Sequence, residues 1–150
     1  MPKITPFLWF DTQAEDAARF YVSIFKNSRI GQVAHANGKV LTVAFELDGV
    51  TFTALNGGPV YQLNEAFSLQ VDCADQAEID ALWDKLTADG GEPGRCGWLK
   101  DRFGLSWQVV PVNLGQLIGG GDPAEAQRAM QAMLRMNKLD IAALEAARAG

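Results

Sequence analysis

The sequence predicts an α+β fold: two paired βαβββ modules forming a curved mixed sheet with a concave cleft, followed by C-terminal helices. Three observations carry this. Hydrophobic periodicity switches from strand alternation to helical spacing and back, and it does so twice. Asn37-Gly38 and Asp48-Gly49 stand between alternating apolar runs, a strong short-range hairpin signal. The third is a residue-level repeat, in which Gly49-Val50-Thr51-Phe52-Thr53-Ala54-Leu55 lies against Gly104-Leu105-Ser106-Trp107-Gln108-Val109-Val110. Gly falls on Gly, Thr51 on Ser106, Phe52 on Trp107 and Thr53 on Gln108. The expected organisation is a domain over 1–112, with modules at about 1–57 and 65–112, and a helical tail over 113–150.

Element by element, Lys3 to Phe10 is β-rich, with Pro6 making part of it an edge or an irregular entry. Thr12 with Glu15 three residues on reads as a capping box, and Ala17, Phe20, Tyr21, Ile24 and Phe25 follow at helical spacing down to Lys26-Asn27-Ser28. Arg29 to Ala36, Val40 to Leu47 and Val50 to Leu55 are three strands. After the turn-rich link from Asn56 to Asn64 the pattern restarts with a strand at Phe67 to Asp72. Asp75 and Glu78 form an N-cap and N3 pair for a helix whose Ile79, Leu82, Trp83 and Leu86 share a face and which ends near Gly90-Gly91. Two further runs, Gly97 to Lys100 and Leu105 to Val110, flank a turn at Asp101-Arg102-Phe103-Gly104. Alternation puts Leu105, Trp107 and Val109 on one face of the last strand, and Ser106, Gln108 and Val110 on the other.

In the tail, Asn113 to Gly121 reads as a Gly-rich connection. Asp122 as N-cap, Pro123 at N1 and Glu125 at N3 then begin a helix with Ala126, Met130, Met133 and Leu134 on one face, and a shorter helix from Asp140 carries Ile141, Leu144 and Ala147. An amphipathic, Met-rich tail of this kind is expected to pack on the sheet or on a second subunit.

A chain of 150 residues, 48% hydrophobic and 21% charged, has the composition of an ordinary globular domain with a core of its own. A net charge of -5 with 13 dispersed Lys and Arg argues against nucleic acid and against anionic membranes as partners. No run reaches the roughly 18–20 apolar residues of a spanning helix, and MPKITPFLWF lacks a signal-peptide pattern, so a cytoplasmic location is the expectation. Cys73 and Cys96 have neither CxxC spacing nor a His cluster and read as free thiols.

The residues resemble a known family. PFLWFDTQAEDAARFY, ALNGGP, NEAFSLQVDC, GWLKDRFGLSWQVVP and the tail MLRMNKLDIAALEAARAG together resemble the PhnB-like branch of the vicinal oxygen chelate superfamily, which includes glyoxalase I, extradiol dioxygenases and bleomycin-resistance proteins. That branch is often labelled demethylubiquinone methyltransferase-like. The resemblance implies paired modules and a homodimer, sometimes with modules exchanged between chains. In metal-dependent members, carboxylates or imidazoles on the first and last strands of each module hold a divalent cation. Those positions fall here near Pro6, near Glu65 to Ser68, and on Thr53 and Gln108. The chain departs from the pattern, with Gln and Thr on the last strands and a single His, His35, at the end of another strand. A neutral amide with two hydroxyls binds Mg²⁺ or Mn²⁺ poorly against water, so no bound metal and no cofactor are expected.

The candidate ligand-binding residues are Thr51, Thr53, Ser106 and Gln108 in the cleft, with Asn56, Trp9 and Glu65 at its margin. Each has a plainer reading: Gln108 as a hydrogen-bonded polar group inside the sheet, Asn56 as turn chemistry, Glu65 as a solvated loop acid, and Trp9, with Trp98 and Trp107, as core. Lys100, Asp101 and Arg102 read as a solvated turn tip. Gly119-Gly120-Gly121 lacks the Lys and Ser or Thr of a phosphate-binding loop. A methyltransferase would need a Gly-rich turn on a doubly wound sheet, and neither is present in the pattern. The expected function is binding of a small molecule in the cleft. The alternatives are a metal-dependent enzyme of glyoxalase or dioxygenase type and a non-catalytic dimerisation or partner-binding module.

Overall fold

A computed structural model describes residues 2–150 and divides into two compact units, one ending at Asn64 and the other spanning Glu65–Gly150. Among the described residues, no helix is long and apolar enough to cross a membrane.

The first unit runs β1 (Phe7–Phe10), α1 (Ala14–Ile24), β2 (Arg29–Ala36), β3 (Lys39–Leu47) and β4 (Val50–Asn56). Its sheet has the order β1-β4-β3-β2, with β1 parallel to β4 and the other pairs antiparallel. Both predicted hairpin turns form with positive φ at each central residue, 53° and 77° at Asn37-Gly38 and 48° and 81° at Asp48-Gly49, the type I′ pattern that matches strand twist. Leu8, Phe10, Val43, Phe45, Phe52 and Ala54 bury one face of the sheet together with Ala14, Ala17, Ala18 and Tyr21 of α1. The Phe45 and Phe52 rings stack at 5.3 Å between centroids. β1 is shorter than expected because regular pairing begins only after Pro6, whose carbonyl accepts from Thr53 N–H at 3.0 Å. α1 ends at Ile24, before Asn27 turns left-handed with φ 52°.

The second unit runs β5 (Ser68–Cys73), α2 (Gln76–Thr87), a 3₁₀ turn (Ala88–Gly90), β6 (Glu92–Pro93), β7 (Trp98–Lys100) and β8 (Ser106–Pro111). Its order, β5-β8-β7-β6 with β5 parallel to β8, repeats that of the first unit. The duplication visible in the residues is thus a duplication of strand pairing. α2 starts as expected: Asp75 Oδ1 accepts from Glu78 N–H at 2.9 Å, and Glu78 reaches back to Ala74 N–H at 2.8 Å. Ile79, Trp83 and Leu86 of α2 are buried, as are Leu99, Leu105, Trp107 and Val109 from β7, the turn and β8.

Three helices follow: α3 (Leu114–Gly119), α4 (Pro123–Met133) and α5 (Ile141–Ala149). The stretch expected to be a plain connection therefore contains α3. It lacks a side-chain cap but is held by Arg148, whose guanidinium donates to the carbonyls of Gln116, Leu117 and Gly120 and to Glu125. The Leu117 and Gly120 carbonyls at the end of a short helix thus gain a partner, which a local sequence pattern cannot assign so far along the chain. Leu134, expected on the buried face of α4, is 55% exposed because the helix ends at Met133; Ala126, Ala129 and Met133 make that face. The tail packs on its own sheet: Val110 is buried with Leu117, Met133, Leu139 and Leu144. Cys96 and Gly97 N–H donate to the carbonyls of Met136 and Asn137, and the Gln76 amide bridges Leu139 O and Ile141 N–H.

Candidate functional site

In the first unit, Thr51, Thr53 and Leu55 alternate with the buried Phe52 and Ala54, so they occupy the sheet face opposite the core and stay half-buried. Trp9 lies on the neighbouring strand in register with Leu55. Its indole Nε1–H donates to Gly58 O at 2.9 Å, and its ring meets Tyr61 edge-on at 4.9 Å. A Cβ at Gly57 would run into the same indole, so the ALNGGP turn needs glycine there for close approach.

Asn56 uses both ends of its amide. Its Oδ1 accepts from Ala14 N–H at 2.8 Å and its Nδ2 donates to Val40 O at 3.1 Å. This corrects the expected Thr12–Glu15 capping box: the residue at the N-cap is Gln13 and makes no side-chain cap, while Glu15 pairs with Arg19 at 2.8 Å. The cap comes from 42 residues further along the chain, beyond the reach of any local motif. Asn56 also borders an open recess of about 710 Å³ lined in part by Asp11, Thr12, Asp16 and Lys39.

In the second unit, Ser106 and Gln108 alternate with Trp107 and Val109 on β8. Gln108 Nε2 donates to Ser68 Oγ on β5 at 3.1 Å. Glu65 carries an ion pair with Lys100, and that hydrogen bond holds the Glu65 carboxyl below its usual range and raises the Lys100 ammonium above its own. Ser106 is 1% exposed, and its Oγ has no hydrogen-bond partner among the described residues. It lines a cavity of about 140 Å³ with Glu65, Glu92, Trp98 and Lys100.

The Lys100-Asp101-Arg102 tip is not uniformly solvated, which corrects the expectation for Asp101. Asp101 is 2% exposed and accepts from Phe103 N–H at 2.8 Å, Leu105 N–H at 3.1 Å and Trp107 Nε1–H at 2.8 Å. A signal was available: Asp at the first position of a turn closed by Gly takes the amide two residues on. Arg102 faces Asp89 at 3.9 Å and lies over the Phe103 ring. His35 is exposed on β2, and Cys73 and Cys96 are free. Among the described residues, no three His, Cys, Asp or Glu side chains converge as a metal-holding group.

Two four-stranded mixed sheets of identical order, each with one parallel pair and a helix on its buried face, define the duplicated vicinal oxygen chelate fold. Residues 2–110 match the family model described as 3-demethylubiquinone-9 3-methyltransferase, and the chain belongs to that family, the PhnB-like branch of the superfamily. Among solved structures, the PhnB protein of Bacillus cereus is 31% identical over 73% of this chain and 99% of its own, with a TM-score of 0.67. Protein PA1353 of Pseudomonas aeruginosa, 19% identical over 74% of this chain and 98% of its own, has a TM-score of 0.61 and shares the fold. No curated protein sequence matches the chain. The tail beyond residue 110 lies outside the family match.

Proposed function

We propose that this PhnB-like protein binds a small molecule, without a resident metal ion, on the polar sheet faces that carry Thr51, Thr53, Ser106 and Gln108. One observation carries the reading. At the positions where metal-dependent relatives place ligands stand the neutral Gln108 amide, hydrogen-bonded to Ser68, and the Glu65 carboxylate, already paired with Lys100. A hard cation takes several oxygen ligands, preferably charged, and an amide, hydroxyls and an already neutralised carboxylate do not fit it. In the first unit Trp9 and Asn56 border the face that carries Thr51 and Thr53, where Trp9 holds the Gly57-Gly58 turn and Asn56 the start of α1. Metal analysis of protein purified without chelator, followed by titration with Mn²⁺, Ni²⁺ and Zn²⁺, is expected to give no stoichiometric binding. Stoichiometric uptake of one ion, abolished in Glu65→Ala or Gln108→Ala, would overturn the reading in favour of a metal-dependent enzyme of glyoxalase or dioxygenase type.

The methyl transfer in the family's description is not part of this reading. Class I methyltransferases hold their cofactor at a Gly-rich turn on a doubly wound parallel sheet, whereas each sheet here has a single parallel pair. The proposal includes a cytoplasmic homodimer. Its support is the exposed apolar surface of the first unit, where Phe7 is 62%, Val60 73% and Tyr61 64% exposed. Sedimentation at micromolar concentration is expected to give a dimer mass, and a monomer mass would remove that part.

A further inference from the structure

The same dipeptide occurs twice in the first unit, as Asn37-Gly38 and as Asn56-Gly57. In Asn-Gly the glycine backbone nitrogen can reach the asparagine side-chain carbonyl carbon, because glycine has no Cβ to hinder the approach. The fold gives the two pairs opposite surroundings. The Asn56 amide accepts from Ala14 N–H and donates to Val40 O, and Gly57 N–H donates to Phe10 O at 2.8 Å. Attack of the Gly57 nitrogen on the Asn56 side chain would have to break these bonds, and the Trp9 ring packs where a Gly57 Cβ would stand. Asn37 and Gly38 are exposed at the tip of the β2–β3 hairpin, and beyond its chain neighbours no atom lies within 4 Å of where a Gly38 Cβ would stand. The ladder below this tip changes register between Ala34 and His35, so the turn can rotate without breaking a long run of regular pairing.

We infer that Asn37 is a site of spontaneous chemical modification in the native protein, and that the fold shields Asn56 from the same reaction. The Gly38 nitrogen gives its proton to a base and bonds to Asn37 Cγ. The bond from Cγ to Nδ2 breaks, and the nitrogen takes up a proton and leaves as ammonia. Water then opens the cyclic imide. Cleavage at Cγ gives aspartate, and cleavage at the Asn37 backbone carbonyl carbon gives isoaspartate, with the main chain now running through the side chain. Either product replaces a neutral amide with a carboxylate, which is ionised at neutral pH and adds one negative charge to a chain of net charge -5. That charge appears on the rim of the 710 Å³ recess, where Asp11, Asp16 and Lys39 also stand. Isoaspartate has a further effect. It lengthens the main chain inside a two-residue type I′ turn, which the Ala36 to Lys39 pairing accommodates only by a shift of register.

The test incubates the full chain at neutral and at mildly alkaline pH, both native and in guanidinium chloride. Asparagine side-chain amides are followed by proton–nitrogen NMR, and products by peptide mapping with mass spectrometry. In the native protein Asn37 is expected to convert at least tenfold faster than Asn56, to a mixture of aspartate and isoaspartate, with a rate that rises with pH. In denaturant the two rates should come within about threefold of each other, because the dipeptides are identical and only the fold separates them. Asn37→Ser should abolish the fast release of ammonia while melting close to wild type, as an exposed turn substitution. Native conversion of Asn37 no faster than that of Asn56 would overturn the inference. So would a rate gap that persists in denaturant, or ammonia release unchanged in Asn37→Ser.

Discussion

The Trp107 indole donates to Asp101 Oδ2 across 2.8 Å in the interior of the second unit, where each residue is only 2% exposed. The same carboxylate takes the backbone amides of Phe103 and Leu105 through its other oxygen. One side chain thus closes the β7–β8 turn and anchors the largest residue of β8. Asp101→Ala leaves three donors to find new partners and is expected to cost about 3 kcal/mol or more in urea unfolding. Asp101→Asn keeps one oxygen but turns an amide NH₂ toward either the indole or the backbone donors. It should lose nearly as much, and a loss below about 0.5 kcal/mol would show that the indole bond matters little.

Asn56 and Thr12 make a matched pair of tests for the start of α1. Asn56→Ala removes the acceptor of Ala14 N–H and the donor to Val40 O, and should destabilise by about 1–2 kcal/mol. Thr12→Ala should stay within about 0.5 kcal/mol of wild type, as an exposed residue outside any cap. Thermal and urea unfolding of the two variants distinguishes the long-range cap from the local one; the reverse order would restore the capping box.

Gly57→Ala drives a methyl group into the Trp9 ring, and the backbone on both sides is pinned by Gly57 N–H to Phe10 O at 2.8 Å and Gly58 N–H to Asp11 O at 3.3 Å. Overpacking of this kind costs about 1–3 kcal/mol. Displacement of the indole from Gly58 O should also change the Trp9 indole proton shift. A variant as stable as wild type, with that shift unmoved, would contradict the close approach.

Cys73 is 0% exposed, and burial, followed by the nearby Glu78, Asp72 and Asp75 carboxylates, pushes its thiol up to about 11 from an ordinary value of 9.0. Between these values the unfolded chain releases the proton and the native state keeps it. Stability is therefore full below pH 9 and falls as pH rises toward 11. Cys73→Ala should flatten that alkaline decline. At pH 8 Cys73 should react with a disulfide reagent only as fast as the protein opens, and rapid labelling in the native state would disprove its burial.

The fold was legible because period-2 and helical patterns, Asn-Gly and Asp-Gly turns and the Asp75 cap are local signals; both turns and the cap formed where residue spacing put them, and the elements of both modules formed with shifted ends. The repeat of Gly49 to Leu55 in Gly104 to Val110 was legible for a related reason. Residues two apart on a strand share a face, so matching classes at Thr51, Thr53, Ser106 and Gln108 mean matching sheet positions. The misreadings share the opposite cause. Asp101 looked like a solvated tip because charge and turn position predict exposure, and only the folded turn brings the Trp107 indole to it.

By itself, then, the sequence determined the two βαβββ modules, their strand faces and the family to which the chain belongs. Tertiary structure decided the partners: Asn56 for Ala14, Lys100 for Glu65, Ser68 for Gln108, Arg148 for the carbonyls of α3, and none among the described residues for the Ser106 hydroxyl. The physical reason is range. Periodicity and turn chemistry act over a few residues, whereas a polar group's partner is whichever donor or acceptor the packed chain brings within about 3 Å.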